Sequence, residues 1–254
     1  RPPRFTLFPY TTLFRSDDYI SAIVLDDSGF IYIAGLTQGG FPTTVGAYQD
    51  SFSGGNDGFI CKINPSMTQL LNSTLIGGTK GEFITSLAID AAKRVIIGGY
   101  TFSDDFNITL NAYKSAIATD DQDGFLSVFD PNLENLVYSS YLGGSNLDSI
   151  KGVGVDNAQN IYVVGDTESS NFPLAVKAVD TTLGGAKDGF YCNFNATTFA
   201  FEYSTFIGGL EDELVMGIAM DPNSDNAFIV GSTKSSNYPV VLGEIGRASC
   251  RERV

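Results

Sequence analysis

Hydrophobic and polar positions alternate along short runs of this chain. In residues 189–194, Phe190, Cys192 and Phe194 alternate with Tyr191 and Asn193, which gives a strand one apolar face. Other runs, Ala22-Ile23-Val24-Leu25 and Ile161-Tyr162-Val163-Val164, are apolar almost throughout and read as strands covered on both faces. Long stretches at helical spacing are absent. One segment, residues 145–209, predicts four strands at 150–155, 161–165, 189–194 and 201–207. The first two are joined by the short turn Asp156-Asn157-Ala158-Gln159-Asn160, and the next two by about 22 residues. In the corresponding first turn of the chain, Asp26-Asp27-Ser28-Gly29 is good hairpin chemistry.

This four-strand pattern repeats. The pairs Gly77-Gly78, Gly143-Gly144 and Gly208-Gly209 fall 66 and 65 residues apart, and Asp57, Asp123 and Asp188, each followed by Gly-Phe, keep the same intervals. Asp26, Asp90, Asp156 and Asp221 recur at 64, 66 and 65 residues, as do Gly-x-Thr triplets beginning at Gly35, Gly99, Gly165 and Gly231. Equal copies of a sheet whose strands need cover on both sides are satisfied by stacking around an axis, the logic of a β-propeller. A sandwich needs no such period, and a β-helix has much shorter rungs. The expected fold is all-β: a propeller of four-stranded antiparallel blades, present as an open arc of about three and a half blades. Blade 1 is residues 17–78, blade 2 is 79–144, blade 3 is 145–209, and the first half of blade 4 is 210–243. Such an arc exposes blade faces at both ends and is expected to aggregate.

The two ends stand apart. Residues 6–16 back-translate to a DNA sequence whose reverse complement, begun one base earlier, encodes residues 244–254. Both ends therefore read as translated sequencing adapter, and 1–16 and 244–254 are set aside as not native. Without them the chain carries 27 acidic and 9 basic residues. That balance disfavours nucleic acid, which would repel it. No apolar run is long enough for a membrane span. The chain has no histidine, which excludes Ser-His-Asp and Cys-His catalysis within it. Cys61 and Cys192 occupy the same repeat position, where blade 2 has Ser127, and read as small core residues rather than a disulfide.

Candidate chemistry rests on carboxylates. Eight residues before each turn aspartate stands an acid: Asp18, Glu82, Asp148 and Glu213. With Asp57, Asp123 and Asp188 they fall on the rim of the long connections and offer an acidic ring for Ca²⁺ or a cationic ligand. The plainer reading is that each accepts backbone N–H groups of its own loop. Asp26, Asp90, Asp156 and Asp221 read as side-chain-capped turns. Asp120-Asp121-Gln122-Asp123-Gly124 is similar to part of a calcium loop but lacks the later glutamate. Paired carboxylates could in principle serve a glycosidase, but nothing marks one pair. Asn72, Asn107 and Asn195 lie in N-x-S/T sequons.

Several strings resemble the SBBP β-propeller repeat: Tyr138-Ser139-Ser140-Tyr141-Leu142-Gly143-Gly144, Val153-Gly154-Val155-Asp156, residues 160–165, Asn171-Phe172-Pro173, residues 41–49 and Gly54-Gly55-Asn56-Asp57-Gly58-Phe59. The second copy departs, with Ala91-Ala92-Lys93-Arg94 at its turn and Phe106-Asn107 in place of Phe-Pro. The resemblance implies a seven-bladed propeller of secreted or surface proteins, without a general enzymatic activity. The implied role is extracellular protein or glycan binding, or adhesion, and the rim of the long connections is where variable surface is expected. Two alternatives are an appendage of a secreted hydrolase whose catalytic domain lies elsewhere, and a spacer in a large surface protein. Other propeller blades are the expected intramolecular partners. No cofactor is expected, Ca²⁺ at the carboxylates apart.

Overall fold

The computed structural model describes residues 17–117, 121–175, 178–224 and 226–239. The two adapter-like ends lie outside them, as does Asp120 of the calcium-loop-like string. The first sheet holds β1 (Asp18–Leu25), β2 (Ile31–Thr37), β3 (Asp57–Ile63) and β4 (Leu70–Ile76). The second holds β5 (Glu82–Ile89), β6 (Val95–Thr101), β7 (Asp123–Phe129) and β8 (Leu136–Leu142). The third holds β9 (Asp148–Val155), β10 (Ile161–Thr167), β11 (Asp188–Phe194) and β12 (Phe201–Ile207). A last pair is β13 (Glu213–Met220) with β14 (Ala227–Thr233). Neighbours in each sheet follow chain order and are antiparallel. The first strands begin at the acids Asp18, Glu82, Asp148 and Glu213, so in the third sheet the strand starts two residues before the expected 150.

The sheets are blades of a propeller. β5 packs across β1, β2 and β3, β9 across β5, β6 and β7, and β13 across β9, β10 and β11. Each blade thus leans on its predecessor mainly through its innermost strand, and the series stays open. Period-two alternation supplies a face to each side. In β2, Tyr32 and Ala34 join Ile84, Leu87, Val95 and Phe125 in the core between the first two blades, while Ile31 and Ile33 face the other way with Phe41 and Cys61. Ile96, Leu126 and Val128 meet Ile150, Val153 and Phe190 between the second and third. Cys61 and Cys192 are free and fully buried. Burial in apolar surroundings pushes both thiols up, Cys61 to about 12, so they stay protonated.

A β-bulge recurs in every first strand, leaving out Ser21, Thr85, Lys151 and Met216 in turn. It brings the chain close to the glycine of each Gly-x-Thr triplet. A Cβ on Gly165 would stand 2.0 Å from the Ser149 carbonyl oxygen, and one on Gly35 1.9 Å from that of Tyr19. Only glycine fits there. Gly165→Ala is expected to cost about 4 kcal/mol or more. Gly217→Ala, where a Cβ meets nothing within 4 Å, should change stability by less than about 1 kcal/mol. Urea unfolding of the two variants side by side checks this, and equal losses would refute the close-approach reading. The bulge also aims Ser21 and Thr85 at the next blade: their hydroxyls donate to the carbonyl oxygens of Ile84 and Ile150, the latter at 2.7 Å.

The long second-to-third connections do not stand up as a canopy on one rim. They lie down along the outermost strand of their own blade. Thr44 N donates to Ser73 O at 3.1 Å and Leu75 N to Gln49 O at 3.0 Å. Thr109 and Lys114 pair in the same way with Ser139 and Tyr141, and Asp180 with Phe206. The outer edges are thereby capped against pairing with other chains.

Candidate functional site

The recurring acids, glycines and threonines form one unit. Each blade ends in Gly-Gly, crosses to the next blade, and begins it with an acid. Glu82 accepts from Gly78 N at 2.9 Å and from the Thr101 hydroxyl at 2.7 Å. Asp148 accepts from Gly144 N at 2.6 Å and from the Ser169 hydroxyl at 2.8 Å. Glu213 accepts from Gly209 N at 2.9 Å and from the Thr233 hydroxyl. The carboxylate therefore fastens the crossing to the Gly-x-Thr strand beside it. Asp18 stands opposite Thr37 in the same register. Sequence reasoning found these three motifs separately and missed that they touch. Their constant mutual offset was the signal.

The third-strand aspartates sit on the other side of the same glycines. Asp57 Oδ2 accepts from Ser53 N at 3.0 Å and Gln49 Nε2 at 2.8 Å. Asp188 accepts from Gly184 N at 2.8 Å and Gly185 N at 3.3 Å. Asp123 Oδ2 is ion-paired with Lys114. Acids of adjacent blades thus meet in pairs: Asp57 with Glu82, Asp123 with Asp148, Asp188 with Glu213. A methyl group on Gly77 would stand 2.6 Å from both Asp57 Oδ1 and Glu82 Oε2, and one on Gly143 2.8 Å from Asp123 Oδ1 and 2.5 Å from Asp148 Oδ2.

The carboxylates of the acidic-ring reading are closed off from solvent. Asp57, Glu82, Asp123, Asp148 and Asp188 are fully buried and Glu213 is 3 % exposed, because the crossing loops close over them. No group of three or more metal-binding side chains assembles among the described residues. Burial raises the carboxyl pKa at Asp57, Glu82 and Asp188, and at Glu82 and Asp188 the neighbouring acid adds to it. Asp123 is pushed from 3.8 to about 7 and Asp148 to about 6, burial being the largest cause in each.

The turn aspartates serve their own hairpins. Asp26 Oδ1 accepts from Ser28 N and Phe30 N, Asp90 Oδ1 from Arg94 N, Asp156 Oδ1 from Asn160 N and Asp221 Oδ1 from Asn223 N. Blade 2 keeps this turn despite its altered sequence: Lys93 takes φ +63° where blade 1 has Gly29 at +79°.

The comparison with known repeats falls on this same blade-to-blade unit. Two segments match the model of the SBBP β-propeller repeat, residues 14–42 and 137–173. The second SBBP segment contains Gly143, Gly144, Asp148, Asp156, Gly165 and Thr167, which is the whole crossing unit with its capped turn. The first contains Asp18, Asp26, Gly35 and Thr37. Among solved structures, the extracellular domain of a one-component system from B. thetaiotaomicron is similar at 12% identity and TM-score 0.42, covering 87% of this chain and 21% of its own. The Dos1 propeller is similar at 10% identity and TM-score 0.41, covering 83% of this chain and 42% of its own. No curated protein matches the chain.

Among the described residues, no helix is long and apolar enough to cross a membrane. The distribution of exposed large apolar side chains is uneven. Apart from the strands, they are Val45, Phe52, Leu110, Tyr113, Leu147, Val179 and Leu210. All lie in the long connections or the blade crossings, and the described residues of the short turns include none.

Proposed function

We propose that this chain is a non-catalytic, extracellular propeller module that binds a protein or glycan through its long connections and blade crossings. One observation carries the reading: the exposed apolar side chains outside the strands gather on those connections, with Leu110 and Val45 standing wholly in solvent. Apolar residues held out in this way on loops, over a scaffold fixed by buried polar ties, are what a recognition surface needs. The non-catalytic reading is supported by the missing histidine and by carboxylates that are spent on backbone N–H groups. The acidic balance fits life outside a cell.

Binding of the fluorescently labelled chain to glycan arrays and to intact bacterial surfaces tests this. A combined Phe52→Ser, Leu147→Ser and Leu210→Ser variant is expected to lose about tenfold or more in affinity. A variant of the short turns, Asp27→Ser with Asn223→Ser, should bind unchanged. Equal binding by both variants, or none by the unaltered chain, defeats the proposal.

A further inference from the structure

The three blade junctions bury carboxylates in pairs, and each pair is faced by the side chain at one chain position: Gln49, Lys114 or Asp180. The equivalence is structural, since the backbone N–H at each of these positions donates to the hydroxyl of a fourth strand, Thr74, Ser140 or Thr205. Only the second junction puts an amine there.

Three acceptors fix the Lys114 amine in place. It pairs with Asp123 Oδ2 and donates to Gly143 O at 3.1 Å and Gly144 O at 3.0 Å. The Asp123 side chain is wholly buried and that of Lys114 is 23 % exposed. The nitrogen thus stands against a buried carboxyl group of its own blade, in a contact held by the fold. Such a contact raises the effective concentration of one reactant at the other by orders of magnitude.

A second carboxyl group stands beside the first. A methyl group on Gly143 would meet Asp123 Oδ1 at 2.8 Å and Asp148 Oδ2 at 2.5 Å, so both acids open on the same small space. Asp148 is fixed there by Gly144 N and the Ser169 hydroxyl. Burial, the largest cause in each, raises Asp148 to about 6 and Asp123 to about 7. Near neutral pH the two acids therefore have a proton to share. A lysine amine, a carboxyl group that holds its proton and a second acid to carry protons are what amide formation needs.

We propose that Lys114 and Asp123 join in an isopeptide bond, made by the folded chain itself with Asp148 as the proton carrier. The ammonium first gives a proton to the Asp123 carboxylate. The free amine attacks Asp123 Cγ while Asp148 protonates Oδ1. Asp148 then takes a proton from the nitrogen and passes it to one of the two hydroxyl groups, which leaves as water. The remaining hydroxyl returns its proton to Asp148 and becomes the amide carbonyl. One N–C bond forms, one C–O bond breaks, nothing is oxidised or reduced, and Asp148 ends as it began. Until the bond closes, the two side chains titrate as a free pair. The reaction is a single turnover within the chain, and it ties the long connection of the second blade to the start of β7.

Denaturing mass spectrometry of the full chain tests this, whatever its state of association. After a day folded at pH 6.5 the mass should be low by one water, about 18 Da, and trypsin should no longer cut after Lys114. Chain kept in urea throughout should retain its full mass. Lys114→Arg keeps the ion pair but cannot close, and Asp123→Ala lacks the carbon to be attacked, so both should also keep full mass. Asp148→Asn should close about a hundredfold more slowly, and circular dichroism establishes that it folds. A folded chain of full mass overturns the proposal. So does a loss of water that persists in Lys114→Arg, which is a succinimide at an Asp-Gly step such as Asp123-Gly124.

Discussion

In solution the 254-residue chain is expected to associate with itself, head to tail, rather than persist as a monomer. Ile20, Ile23 and Leu25 are 52 %, 61 % and 63 % exposed on the open side of the first blade. Their repeat equivalents Ile84, Leu87, Ile150 and Val153 are buried against the preceding blade. At the other end Phe228 and Val230 are more than half exposed, whereas Tyr32 and Ala34 at the same positions are fully buried by the following blade. Every interior junction is made from one face of each kind, so the two open faces are mates. Each such side chain gains about 1.5–3 kcal/mol on full burial, and a heterologous contact of this sort closes into a ring or grows without limit.

Light scattering over a concentration series checks this. Mass should rise with concentration, ending in precipitation. Ile23→Lys or Phe228→Lys should each weaken association by about tenfold or more, one from each face, with no additive gain when both are present in one chain. A monodisperse monomer with a single cooperative melt would contradict the expectation.

How much of this was legible beforehand depends on which residues carried a periodic signal. The blades were, because Phe190, Cys192 and Phe194 alternate and because Gly-Gly, Asp-Gly-Phe and Gly-x-Thr keep equal intervals. The strand starts were not. Asp148 and Ser149 are polar yet sit inside β9 and are buried, where Asp148 Oδ2 accepts from Gly144 N and the Ser169 hydroxyl and the Ser149 hydroxyl accepts from Gln122 Nε2. Polarity alone cannot announce that. The bulges were equally silent: a single skipped residue leaves the pattern of the strand intact to the eye, and only the glycine opposite betrays it. The long connections lack alternation because they pair along one edge only, so nothing in residues 41–49 distinguished a strap along the outer strand from a loop on the rim. The burial of the acids was not legible either, because it comes from the neighbouring blade and lies outside each acid's own segment.

That burial gives the chain an inverted pH dependence. The usual buried, ion-paired aspartate has a lowered pKa and loses its contribution as pH falls. Asp123 and Asp148 behave oppositely: at about 7 and about 6 they lie above the ordinary 3.8. Burial is the largest cause at both and the Lys114 ammonium relieves it only in part, while at Asp123 the neighbouring Asp148 and Asp121 add to it. Between pH 4 and 7 the folded chain therefore holds more protons than the unfolded one, and stability falls as pH rises through that window. Asp123 alone, displaced from 3.8 to about 7, accounts for about 4 kcal/mol when ionised. Asp57, Glu82 and Asp188 are raised as well and act with the same sign. Asp130 and Asp221, whose carboxyls are held low by hydrogen bonds in their turns, lose their contribution only below the ordinary carboxylate range. The melting temperature, measured with chelator present, should thus peak near pH 4–5 and decline toward pH 8. Asp123→Asn should flatten that decline, and Lys114→Gln should steepen it by removing the relieving charge. A melting temperature that climbs steadily from pH 5 to pH 8 would mean that these carboxylates are ionised in the folded chain at no cost, and that the blade junctions are not the dry, like-charged contacts described here.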